Sequence, residues 1–118
     1  LPFPEDQSEV DKAQQKVISR FLQRLSKVVN ENRIILSKNR RDFRNRQTLE
    51  KLCFTKQTAL NELKKLKVED YRGGPEPDRD RDDSIIWEFE KEIKGIIIYI
   101  KIGDHGEKDV WSCISFHS

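Results

Sequence analysis

The stretch Ile85-Ile86-Trp87-Glu88-Phe89-Glu90-Lys91-Glu92-Ile93-Lys94-Gly95-Ile96-Ile97-Ile98-Tyr99-Ile100-Lys101-Ile102 decides the fold. It is rich in β-branched and aromatic residues, which suit a pleated, half-buried strand. Lys94-Gly95 breaks the run with two residues, and a glycine there supplies the positive φ that a two-residue hairpin turn needs. Such a turn sets the register, and register sets the faces. With Ile93 opposite Ile96, Phe89 pairs with Ile100 and Trp87 with Ile102. These residues and Ile98 make one apolar face, the expected core side. Only Lys91 interrupts it, and a lysine stem can snorkel near a sheet end. The other face carries Glu88 opposite Lys101, Glu90 opposite Tyr99 and Glu92 opposite Ile97.

Downstream, Val110 to Phe116 reads as a third strand. Alternation from Val110 puts Val110, Ile114 and Phe116 inward and Cys113, Ser115 and His117 on the side of Glu88, Tyr99 and Lys101. Trp111 then points outward, where it would stack on a base; under a helix it would be core, and the sequence leaves both open.

Upstream the pattern is helical. Residues 1–7 hold two prolines and read as an irregular tail, with Ser8 as an N-cap and Asp11 three residues on. Val10, Ala13, Val17, Ile18, Phe21, Leu25, Val28 and Val29 recur at helical spacing up to Asn30–Asn32. Ile34-Ile35-Leu36 is a short strand, 37–46 a basic loop, and Leu49 and Leu52 mark a short helix. Thr55 caps the next helix, whose stripe is Ala59, Leu60, Leu63 and Leu66. Val68 to Arg72 reads as its last turn, broken by Gly73-Gly74-Pro75, and 75–83 as a charged loop. Helices first and strands last predict a single α+β domain over 1–118. Its long N-terminal helix and two shorter helices would pack on one face of a small antiparallel sheet.

The chain has 118 residues, 37% charged and 35% apolar, with a net charge of only +2. That permits one modest core. Charge is uneven: Arg33, Lys38, Arg40, Arg41, Arg44, Arg46 and Lys51 are opposed only by Asp42 and Glu50 over the same span. Such a block attracts polyanions, nucleic acid above all, and is otherwise a solvated segment. Cys53 and Cys113 make no C-x-x-C and no disulfide framework, which points to reduced thiols and a cytoplasmic setting. No apolar run is long enough to span a bilayer, so no membrane partner is expected. Asp78-x-Asp80-x-Asp82 begins like a calcium loop, but Asp83 and Phe89 stand where the loop needs Gly and Glu. Cys53, Cys113, His105 and His117 match no zinc spacing. Both thiols are expected as buried small hydrophobes, and His105 as a surface turn residue.

Parity therefore gathers Glu88, Tyr99, Lys101 and His117 on one sheet face. A solvated face with cross-strand ion pairs is the common meaning of such a pattern. The same residue types also move protons and stabilise charge on phosphate.

Several ordered motifs add a family. Tyr71-Arg72-Gly73-Gly74-Pro75, Pro77-Asp78-Arg79-Asp80-Arg81, Ile86-Trp87-Glu88-Phe89, Lys91-Glu92-Ile93-Lys94-Gly95, Tyr99-Ile100-Lys101-Ile102 and Cys113-Ile114-Ser115-Phe116-His117 resemble the motility quorum-sensing regulator (MqsR) family of toxins over residues 68–117. The resemblance implies a RelE-like fold and a type II toxin–antitoxin mRNA interferase. It implies an endoribonuclease that uses neither metal nor cofactor, with mRNA as substrate and a cognate, DNA-binding antitoxin as partner. The implied catalytic positions are Arg72, Glu88, Tyr99, Lys101 and His117. Three of them depart from the family's founding member, where Arg72 is a Lys, Glu88 a Gln and His117 a Lys. An imidazole suits general acid work better than an ammonium does.

On this basis the RNA 2′-hydroxyl attacks the adjacent phosphate, leaving 2′,3′-cyclic phosphate and 5′-hydroxyl ends. Arg72 and Lys101 hold the phosphate, His117 protonates the leaving oxygen, and Tyr99 or Glu88 takes or orients the 2′-hydroxyl proton. Arg40, Arg41, Arg44, Arg79, Arg81 and Trp111 are the expected RNA contacts. The alternative is a catalytically inactive RelE-like module that binds protein or RNA. If Ile102 and Val110 pair closely, His117 falls near Gly95, too far from Lys101 for one phosphate. The 103–109 segment must then bulge, or the chain end curl back.

Overall fold

The structure, a computed structural model, describes the backbone of residues 3–37, 42–107 and 109–118 and the side chains of residues 11–37, 43–107 and 109–118. The hairpin forms with the expected register: β3 (Ile85–Ile93) and β4 (Ile96–Asp104) pair Ile93 with Ile96, Phe89 with Ile100 and Trp87 with Ile102. Lys94 and Gly95 both adopt positive φ, 52° and 81°. That combination twists a two-residue turn the way the strands twist. Lys94 tolerates the strain with its ammonium anchored on the Leu52 carbonyl at 2.8 Å, near the Phe54 ring.

The remaining elements are α1 (Phe3–Asn30), β1 (Ile34–Leu36), α2 (Asp42–Leu52), α3 (Lys56–Glu62), β2 (Tyr71–Pro77) and β5 (Trp111–His117). Short 3₁₀ turns at Leu63–Lys65 and Val68–Asp70 link α3 to β2. The five strands run in the order β1-β5-β4-β3-β2. All neighbours are antiparallel except β1 and β5, which are parallel. The protein is thus α+β, with three helices among the described residues against a mixed sheet where a purely antiparallel one was expected.

Three local expectations change. The helix begins at Phe3, so most of the expected tail and Ser8 lie inside it. α2 begins at Asp42, inside the segment read as loop. The Gly-Gly-Pro stretch is strand β2, not a break before a loop. Gly74 is obligatory there: its φ is +96°, and a Cβ would stand 2.4 Å from the Ile86 carbonyl oxygen.

The core lies between α1 and one sheet face. Phe21 sits at its centre, stacked on Trp87 at 4.2 Å and flanked by Phe89 and Trp111 at 5.9 and 5.8 Å. Of the predicted α1 stripe, Ile18, Phe21, Leu25, Val28 and Val29 are buried, whereas Val17 is exposed. The N-terminal part of the stripe thus runs past the sheet, and only the later turns cover it.

α2 does something different. β1 pairs with only the first half of β5, so the second half has an open edge. Buried Asn45 closes it: its amide nitrogen donates to the Ile114 carbonyl at 3.2 Å and its oxygen accepts from the Phe116 N–H at 2.9 Å. The Thr48 hydroxyl accepts from the Ser118 N–H. Side-chain groups stand in for the missing strand, and backbone groups that burial would otherwise orphan are satisfied.

Candidate functional site

The face of the sheet opposite α1 presents Glu88 and Glu90 from β3, Tyr99 and Lys101 from β4, and His117 from β5. All five are half-buried. β4 runs in the middle, with Lys101 directly opposite Glu88 and Tyr99 opposite Glu90. On its other side Lys101 pairs with Ser115 and Tyr99 with His117. The Tyr99 and His117 rings lie 5.5 Å apart. The distance problem posed by the sequence therefore does not arise, because β5 is displaced along β4 and its tight pairing starts at Ser112 opposite Gly103.

β5 reaches this position through a bulge. Lys101 pairs with Ser115 but Ile102 pairs with Cys113, which leaves Ile114 without an opposite residue. An extra residue inverts the alternation on one side of it. Phe116 and His117 point as expected, but residues before the bulge are reversed. Val110 is 50% exposed and Trp111 only 1% exposed, the opposite of the expected pattern. Trp111 is core: its ring lies beside Phe21 and its Nε1 donates to the Gly106 carbonyl at 2.7 Å. It cannot stack on RNA. Cys113 is buried as well, and burial pushes its thiol up to about 12, which leaves it inert. Cys53, expected buried, is exposed.

The electrostatics of the face follow from its carboxylates. Burial first, then the charge and hydrogen bonding of Glu88, then the charge of Glu90, push the Tyr99 phenol up to about 12. A phenol held there keeps its proton at neutral pH, so Tyr99 is a hydrogen-bond donor and not a base. Lys101 and Glu88 are opposite each other but form no ion pair among the described residues, so the ammonium is not consumed by its neighbour. Arg72 rises beside the site from β2. Its Nη1 donates to the carbonyls of Glu69 and Tyr71, and its Nε lies 3.5 Å from a Glu90 carboxylate oxygen. A third carboxylate, Glu92, continues the β3 row opposite exposed Ile97. Along this face three carboxylates meet two cations and one imidazole, so it is not a basic surface.

The other expected RNA contacts are scattered. Arg44 is exposed on α2, and Arg79 and Arg81 are exposed in the segment after β2. Arg81 is held at 3.2 Å by Asp83, whose carboxyl it keeps below the usual range. Arg40 and Arg41 lie outside the described residues. The sequence missed Asp104 and placed His105 in a surface turn, whereas both are buried, only 7% exposed. Asp104 accepts from Arg24 of α1 at 2.9 Å and from the Gly106 N–H, which pins the turn after β4 to the helix layer. The cue was present in Gly103-Asp104-His105-Gly106, where an aspartate precedes a glycine by two residues, a side-chain-to-backbone turn.

No helix is long and apolar enough to cross a membrane among the described residues. Comparison of the chain with models of protein families, with characterised proteins and with solved structures finds no match.

Proposed function

We propose that the chain is an endoribonuclease that cleaves mRNA by internal attack of a 2′-hydroxyl, with no metal taking part. The observation that carries this is the His117–Tyr99 cross-strand pair with Lys101 and Glu88 beside it, on the sheet face turned away from α1. A phosphodiester laid across β4 would have the carboxylate on one side and the imidazole on the other. Glu88 takes the 2′-hydroxyl proton as that oxygen attacks phosphorus, and the P–O5′ bond breaks as protonated His117 gives its proton to the departing oxygen. Lys101 and Arg72 stabilise the charge that builds on the non-bridging oxygens, and the Tyr99 phenol donates to the same group. Nucleophile and phosphate are already neighbours in RNA, so alignment supplies much of the rate.

The toxin role, the cognate antitoxin and a cytoplasmic location rest on the resemblance to the MqsR family. A second reading is favoured by one observation: the Glu88, Glu90 and Glu92 row weakens attraction for a polyanion. A scaffold that binds a partner without cutting RNA would carry such a row at no cost.

The two separate in one assay. Purified protein incubated with single-stranded RNA and excess chelator is expected to yield fragments ending in 2′,3′-cyclic phosphate and beginning with 5′-hydroxyl, read by end-labelling and mass. Intact RNA, or fragments with 3′-hydroxyl and 5′-phosphate ends, would overturn the proposal.

A further inference from the structure

Beyond Lys101, toward the Asp104 end of β4, the same face holds a cavity of about 280 Å³. Lys101, His105 and Ile114 line it from the sheet side, and Asp78, Asp80 and Arg81 from the segment after β2. We propose that this cavity is a nucleobase subsite that takes a base bearing an exocyclic amine (adenine, cytosine or guanine) and rejects uracil. The inference rests on the RNA-cleaving reading of the adjoining face, and it names what that face selects.

Three observations carry it. The first is position. Lys101 belongs both to the cavity and to the catalytic row, two residues along β4 from Tyr99. A strand whose phosphate lies on Lys101 has its neighbouring base within reach of the cavity. The second is the wall chemistry. When ionised, Asp78 and Asp80 can accept hydrogen bonds but not donate them. Asp78 also orders the segment by accepting from the Asp80 N–H at 2.9 Å. Carboxylates repel a second phosphate but accept from an amine, the pairing by which acidic side chains read cytosine. Uracil offers no amine and would set a carbonyl oxygen against them. Ile114, freed by the bulge, gives the ring an apolar surface, and the cavity is small for anything larger than one base.

The third lies behind the wall. His105 Nε2, Ser84 Oγ and Ile114 Cδ1 crowd together over Gly103, where a Cβ would stand 3.0, 3.1 and 3.4 Å from them, and two of the three belong to residues that line the cavity. Ser84 Oγ is shut off from solvent and has no hydrogen-bond partner among the described residues. A buried hydroxyl left unpaired is uncommon in a settled core and marks a place where polar groups are held ready.

The test uses the full chain and short RNAs identical except for the nucleotides flanking the scissile bond. Wild-type protein is expected to prefer adenine, cytosine or guanine over uracil at one flanking position by about ten- to hundredfold in kcat/KM. Asp80→Asn, at an exposed position, and Asp78→Asn, which keeps the acceptor that orders the segment, are expected to reduce this preference to within about threefold when combined, with the rate on the uracil substrate retained. No preference at either flank, or an unchanged preference in the double variant, would overturn the subsite. A parallel NMR titration needs no cleavage: cytidine monophosphate is expected to shift the amides of His105 and Ser112, away from the phosphate on Lys101, and uridine monophosphate to leave these two unmoved. Those shifts without any RNA cleavage would remove the nuclease proposal and keep the subsite. Equal shifts with both nucleotides, or none, would remove the subsite.

Discussion

His117→Ala is expected to lower RNA cleavage by about 10²–10⁴-fold, the usual worth of a positioned acid or base. The loss should fall on the turnover number more than on binding, because the imidazole acts on the leaving oxygen only as the P–O5′ bond breaks. His117 is half-buried on β5 opposite Tyr99, and its Nδ1 lies 3.3 Å from the Ser118 carbonyl oxygen, so truncation removes no core contact. The control has to sit on the same face away from the chemistry. Ile97, 59% exposed near the hairpin turn, serves, and Ile97→Ser should leave the rate within about twofold. Phe116, although adjacent in sequence, would not serve, since it is fully buried and a new hydroxyl there would lack a partner. Single-turnover rates with substrate in excess of Kd make the comparison. A His117→Ala rate within threefold of wild type would remove the imidazole from the chemistry.

The second large effect concerns stability. Phe21→Ala should cost about 3–5 kcal/mol, the range for a buried aromatic reduced to a methyl. Phe21 is 2% exposed and stacks with Trp87 and Phe89 of β3 and Trp111 of β5. Removing it leaves a cavity that two large indoles and a phenyl cannot close by small shifts, so little of the loss is recovered. For a domain of this size that corresponds to a fall of roughly 10–20 °C in Tm. Val17→Ala, one residue before Ile18 on α1 but 48% exposed, should change stability by no more than about 0.5 kcal/mol. Urea unfolding of both variants checks the pair. A loss below about 1 kcal/mol for Phe21→Ala would mean that α1 is not docked through this residue.

What was legible in the sequence, and what was not, follows from where side chains report backbone geometry. The β3–β4 hairpin could be read because a two-residue turn ending in glycine admits one register and every residue beyond it then has a fixed side. β5 could be read only in part. Alternation carries no sign of a bulge, so the inference from Val110 forward inverted at Ile114, while Ser115, Phe116 and His117 came out on their proper sides. β2 was hidden because Gly73, Gly74 and Pro75 lack the branched side chains that mark strands, and Gly74 is there for its close approach to β3. The first part of α2, read as loop, was hidden for the opposite reason. Asn45, Thr48, Leu49 and Leu52 keep the i, i+3, i+4, i+7 spacing, but half of that stripe is polar because it faces the backbone edge of β5 and not an apolar layer. The shared face of Glu88, Tyr99, Lys101 and His117 was more legible than the fold around it, since all four lie on or next to the well-read hairpin. Trp111 was the exception, placed outside by the same uncounted residue.

The most direct measurement is cleavage of an RNA in which one nucleotide, the one whose 2′-hydroxyl would attack, carries 2′-deoxyribose. The protein is expected to bind this RNA as tightly as the unmodified one and to leave that single bond uncut while cutting the unmodified RNA there. Cleavage of the deoxy-substituted bond at an undiminished rate would contradict the account, because the group that Glu88, Lys101, Tyr99 and His117 are arranged to activate would then play no part.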